Sequence, residues 1–214
     1  MRYINPRLAL NYALLGLLVS GCSAPLPKSP TPSPTPPPPP TAAAPAQDQP
    51  AKIVKVQFEQ AIAFMQAGED KEASALFANI TKLDPQLASP HTNLGILFYR
   101  EGKLKEAEAA FKQALQLDAK DYVAANYLGM IYRGEGRFSD AEASYKQALA
   151  AKPDYGYAHL NLAILYDLYL DKLPEALDHY RQYQQLNGDA DKRLAGWLAD
   201  LRQRMKSTSE DSTP

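Results

Sequence analysis

Apolar side chains return at helical spacing through residues 51–206, in paired stripes separated by a glycine or a short polar turn. Leu94, Gly95 and Phe98 fall on one face of a helix, and Gly102 marks its end. Past that turn, Ala107, Phe111, Ala114 and Leu115 outline the apolar face of a second helix between Leu104 and Leu117. Two helices joined by so short a turn predict an antiparallel hairpin.

The hairpin recurs. Set in register at Val54, Ala88, Tyr122 and Gly156, about 34 residues apart, the chain repeats its side-chain types column by column. The columns read Ala61, Gly95, Gly129, Ala163, then Phe64, Phe98, Tyr132, Tyr166. In the second helices they read Ala73, Ala107, Ala141, Ala176, then Phe77, Phe111, Tyr145, Tyr180. One extra residue in the fourth turn shifts the last members by one. Such a period marks stacked units that bury their apolar faces only against one another. Small residues are expected where paired helices approach, with the aromatics filling the gaps beside them. Pro85 and Pro153 close the first and third units, and Pro174 suits the first turn of a helix, where its missing donor matters little.

These columns resemble the tetratricopeptide repeat. Leu94-Gly95, Phe98, Gly102, Ala107, Phe111 and Ala114 match its motif, as do their partners in the third unit. The resemblance implies an all-α fold, a solenoid of four helix-turn-helix repeats. It departs from the motif where Gln57, His91, Ala125 and His159 replace a bulky aromatic, and where Ala119 and Gly188 replace the closing proline. Residues Asp191 to Lys206 carry Leu194, Trp197, Leu198, Leu201 and Met205 on one stripe. That stripe predicts a C-terminal capping helix with Trp197 buried on the fourth repeat and Asp189 or Asp191 at its start; a partner-binding helix with Trp197 exposed is the alternative.

Residues next to the core columns form a second stripe, which in tetratricopeptide solenoids lines the groove that holds a client. The candidate groove residues are Ile62, Asn93, Ile96, Tyr99, Asn126, Tyr127, Met130, Arg133, Tyr157, Leu160, Asn161 and Ile164, with Thr92 on the same stripe. Its positive charge is limited to Lys55, Arg100 and Arg133, which argues against the family's clamp for a terminal carboxylate. An apolar stripe with marginal asparagines suits an amphipathic or extended client segment. The competing assignment is inter-repeat core, or a stripe covered by the N-terminal segment.

The first 50 residues read differently. Arg2 and Arg7 precede an apolar run from Leu8 to Val19, the form of a secretory signal and short for a membrane span. Val19-Ser20-Gly21-Cys22 resembles the lipobox of bacterial lipoproteins, which implies a signal peptide over residues 1–21 and lipidation of Cys22. A cleaved signal for soluble secretion is the alternative. Several acyl chains would anchor the chain durably. Ser23, by the family's sorting rule, implies the outer membrane of a Gram-negative cell, facing the periplasm. Residues 22–50 are proline-rich, with Pro36 to Pro40 unbroken, and read as a polyproline spacer of about 80 Å when extended. A proline-rich ligand for another protein is the sharper alternative. Residues 207–214 read as a disordered tail, leaving 51–206 as the repeat domain.

Composition narrows the chemistry. A net charge of -1 with interspersed signs excludes the basic footprint of a nucleic-acid binder. One cysteine excludes an internal disulfide. His91, His159 and His179 have no metal-ligand spacing, there is no phosphate loop, and no catalytic set converges, so no cofactor, metal or enzyme is expected. The expected role is a membrane-anchored adaptor for a protein or peptide client, resembling in architecture the pilotins of type IV pili and tight-adherence pilus lipoproteins. A scaffold for cell-wall synthesis or hydrolysis enzymes is the rival, and a wall-remodelling enzyme the remote one.

Overall fold

A computed structural model of the chain describes residues 48–188 and 192–210. Among them are nine α-helices and no strands: α1 (Asp48–Ala67), α2 (Asp70–Leu83), α3 (Ala88–Arg100), α4 (Leu104–Leu117), α5 (Tyr122–Gly134), α6 (Phe138–Ala151), α7 (Gly156–Leu168), α8 (Leu173–Asn187) and α9 (Lys192–Glu210). The first eight pair into four hairpins, and each hairpin packs on the next. Direct contacts of α3 with α5 and of α5 with α7 set the first helices of the second, third and fourth hairpins side by side along one face.

The turns repeat as regularly as the helices. The carbonyls of Phe64, Phe98 and Tyr132 accept from the amides of Glu69, Lys103 and Arg137, each at 2.9 Å. Gly102 and Gly136 stand in the left-handed region at φ 75, the conformation this helix stop requires. In the longer fourth turn, Lys172 reaches back to Tyr166 at 3.0 Å and Asp171 takes the left-handed position at φ 50.

The columns pack as the repeat pattern implies. Ala107, Phe111, Ala141, Tyr145 and Ala176 are fully buried, and one cluster runs from α4 to Leu201 of α9. A second cluster joins Ala61, Ala73 and Phe77 to Leu94 and Leu97. Where the third repeat has Ala125 in place of an aromatic, Tyr155 packs in the same cluster and meets Tyr122 edge-on at 4.8 Å. Asp121 caps α5 by accepting from Val123 and Ala124, and Thr92 donates to the same carboxylate, tying α3 to α5.

Some boundaries differ from expectation. Helix α1 starts at Asp48, inside the segment assigned to the linker, because Pro50 in a first turn forfeits no intrahelical bond. Helix α9 runs to Glu210, past Lys206, since no glycine or proline interrupts Ser207 to Glu210. It caps the stack with Leu194, Leu198 and Leu201 buried. Trp197 is half-buried rather than buried, its ring centroid 6.0 Å from that of Tyr180. The signal segment, Cys22, most of the proline-rich stretch, Asp189, Asp191 and the last four positions lie outside the described residues. Among the described residues no helix is long and apolar enough to cross a membrane.

Candidate interaction groove

The stripe predicted to hold a client is largely half-exposed. Ile96, Tyr99, Tyr127, Met130, Leu160 and Ile164 all pack against the main core cluster while keeping part of their surface open. Tyr127 organises the middle of this face: it stacks on Phe111 at 5.2 Å and receives Tyr99 edge-on at 5.3 Å. Burial pushes its phenol up against the opposing influence of Arg100, so it stays a neutral hydroxyl. Ile62 belongs instead to the first-repeat cluster, and Tyr157 to the cluster around Ala125.

The polar members divide. Asn93 is half-exposed and donates to the Ser89 carbonyl at 2.9 Å. Asn161 donates to Asn126 at 3.0 Å, and Asn126 turns its own amide toward the Met130 sulfur at 3.8 Å. At 3% exposure Asn126 is an inter-repeat tie rather than a free groove contact. Thr92, 7% exposed and bound to Asp121, likewise faces its neighbour and not the groove. Both occupy the edge of the stripe, where the adjacent repeat closes over them.

The charges divide as well. Arg100 pairs with Asp70 at 3.2 Å. Arg133 is half-exposed, and its Nη1 is covered with no hydrogen-bond partner among the described residues; the Tyr145 hydroxyl is in the same condition. Burial pushes the Tyr145 phenol strongly up, against the lowering influence of Arg133. In the fourth repeat Tyr180 donates to Asp167 at 3.2 Å, and Arg204 of α9 pairs with that carboxylate.

Two arrangements escaped the sequence reading. The Asp167–Tyr180–Arg204 triad was signalled only by an acid in an otherwise core-flanking column. His159 and His179 meet at 2.9 Å between their Nδ1 atoms. His159 donates from Nε2 to the Pro153 carbonyl at 2.9 Å, so its Nδ1 accepts from His179. Burial, and then the His159 ring, push the His179 imidazole down to about 4. Among the described residues no cluster of three His, Cys, Asp or Glu side chains could hold a metal ion.

Residues 88–121 and residues 126–195 match two models of the tetratricopeptide repeat. No curated protein sequence matches the chain. Among solved structures it is similar to PilF of Pseudomonas aeruginosa, with a TM-score of 0.65 and 20% identity over 74% of this chain and 72% of that one. A MamA RS-1 variant superposes with a TM-score of 0.61 at 17% identity, covering 72% of this chain and 85% of that one. The first repeat domain of Spaghetti (RPAP3), bound to the HSP90 peptide SRMEEVD, gives 0.53 at 22% identity, covering 57% and 96%. Helix order, repeat period and these matches make the chain an all-α solenoid of four tetratricopeptide repeats with a C-terminal capping helix.

Proposed function

We propose that this chain is a membrane-anchored adaptor that holds a protein client in its groove and serves assembly of a pilus or secretion complex. Tetratricopeptide repeats are protein-interaction scaffolds, and neither matched model is a catalytic one. The observation that carries the reading is the row of half-exposed apolar side chains from Ile96 to Ile164 on the faces of α3, α5 and α7. A client segment laid along them would cover these side chains, and apolar burial contributes about 25 cal/mol per Å². Likeness to PilF supports the pilus reading, and the lipobox-like run ending at Cys22 supports an outer-membrane anchor facing the periplasm. Anchoring adaptor and client to one membrane raises their effective concentration.

The test is complementation of a deletion strain, scored by electron microscopy of surface pili or secretin rings. The native chain should restore assembly, while Cys22→Ala and the double substitution Ile96→Asp, Met130→Asp should not. Restoration by the double variant, present at native level, would remove the groove from the function. Labelled palmitate should enter the native chain and not Cys22→Ala.

A further inference from the structure

The polar groups of the fourth repeat junction answer one another, and those of the third do not. Arg133 Nη1 and the Tyr145 hydroxyl are both closed to solvent and without an acceptor among the described residues. Tyr145 is fully buried, and the Arg133 charge is one of the influences on its phenol, so the two donors share a neighbourhood. A buried donor without an acceptor destabilises the fold and is rare in folded proteins.

The repeat supplies its own control. Met65, Tyr99, Arg133 and Asp167 occupy one column, opposite Phe77, Phe111, Tyr145 and Tyr180 of the second helices. The first two pairs need no counter-charge. In the fourth, Asp167 accepts from Tyr180 and is paired with Arg204. In the third, no acid among the described residues pairs with Arg133, and Asp167 on α7 is already engaged.

Building on the groove reading above, we infer that Arg133 and Tyr145 form a notch for a carboxylate side chain of the client, an Asp or Glu flanked by apolar residues. Arg133 is half-exposed and reachable from the groove, and its Nη1 has no bond to lose in turning outward. Tyr99 and Met130, half-exposed on the same stripe, offer apolar surface, so a docked segment would exclude water and strengthen the charge-assisted bond. A main-chain carbonyl could satisfy the donors but would leave the positive charge uncompensated.

Randomised peptides displayed on phage and selected on the full chain test this. Selected sequences should be enriched in Asp or Glu next to apolar residues, and selection on Arg133→Met should lose that enrichment while keeping the apolar part. A selected peptide resynthesised with Gln for its acid should bind the native chain about tenfold or more weaker, and bind Arg133→Met without change. Equal selection by both proteins would overturn the notch. Selection that survives Ile96→Asp, Met130→Asp would instead overturn the groove itself, which keeps the two readings apart. Arg133→Met should also melt at an equal or higher temperature, by about 2–4 °C, since an uncompensated donor is removed. A fall of that size would make Arg133 a structural residue and overturn the proposal. Full competition by free acetate at millimolar level, or self-association abolished by Arg133→Met, would assign the site to a small anion or to a second copy, and either would overturn it too.

Discussion

An alanine at position 95 should destabilise this solenoid, although alanine is the better helix former. A Cβ built on Gly95 lies 2.6, 2.7 and 2.9 Å from three carbons of the Phe111 ring. Non-bonded carbons settle at about 3.5–4.0 Å, so the ring would have to retreat by about 1 Å. Phe111 is fully buried and already stacked on Tyr127, which leaves nowhere to go. Overpacking of this kind costs about 1–3 kcal/mol. Replacing glycine inside a helix returns about 0.8–1 kcal/mol of propensity. The net expectation for Gly95→Ala is a loss of about 0–2 kcal/mol. Gly196, in α9, has nothing within 4 Å of a built Cβ, so Gly196→Ala carries the propensity term alone and should stabilise by up to about 1 kcal/mol. The difference between the two variants isolates the close approach of α3 and α4. Urea unfolding followed by far-ultraviolet circular dichroism, compared at unchanged slope, reads it directly. If Gly95→Ala proved as stable as Gly196→Ala, the helices of the hairpin would not lie as close as described.

The triad and the histidine pair give two further tests. Asp167→Asn keeps the shape but removes the charge that Arg204 answers, and should weaken the docking of α9 by about 1–2 kcal/mol, Arg204 being partly exposed. Hydrogen exchange should then rise in α9 ahead of α7, and unchanged protection of α9 would refute the tie. His179 is held at about 4 against an ordinary value near 6.5, so the unfolded chain binds its proton first as pH falls. Its stabilising contribution is complete above pH 6.5, declines between about 6.5 and 4, and is flat below. Discounted for the exposure of the ring, with Lys146 and Asp178 also acting on it, the loss is about 1–2 kcal/mol. Glu142 complicates only the lower range: burial raises it, yet hydrogen bonds from Lys146, Tyr166 and Lys172 outweigh burial and hold it at about 2. Denaturation midpoints measured from pH 7 to 4 should therefore fall less steeply for His179→Gln than for the native chain, and parallel slopes would contradict the pairing.

Repetition explains why the fold was legible. A single Gly95 or Phe111 is a weak signal, but the same small-and-large alternation in four registers fixes helix pairing, turn position and core face together. The extra residue of the fourth turn was legible as a shift, and it appears as Asp171 in a glycine's conformation. The groove was legible only as a stripe. One step along a helix turns a side chain by about 100°, so residues at the stripe's edge can face the client or the next repeat. Thr92 and Asn126 face the next repeat because a neighbouring polar atom, on Asp121 and Asn161, meets them there. Contacts such as His159 with His179, or Asp167 with Arg204, join columns of different helices, and no period within one helix encodes them.

Selectivity in such a scaffold has to come from columns that packing leaves free. Gly95, Gly129, Phe111 and Tyr145 cannot vary without moving a helix, because each fills space its partner has vacated. The column of Met65, Tyr99, Arg133 and Asp167 can vary, and it changes along the stack from apolar to positive to negative. At its far end α9 neutralises the acid and so withdraws it from the surface. On the proposed reading, a client would meet an apolar approach over the first two repeats leading to a guanidinium in the third that no acid among the described residues pairs with. A client that buried the apolar part alone would leave that guanidinium covered and unpaired, which is the more expensive arrangement. The order of side chains in this one column therefore favours a client whose apolar segment is followed, at a fixed distance, by an acid.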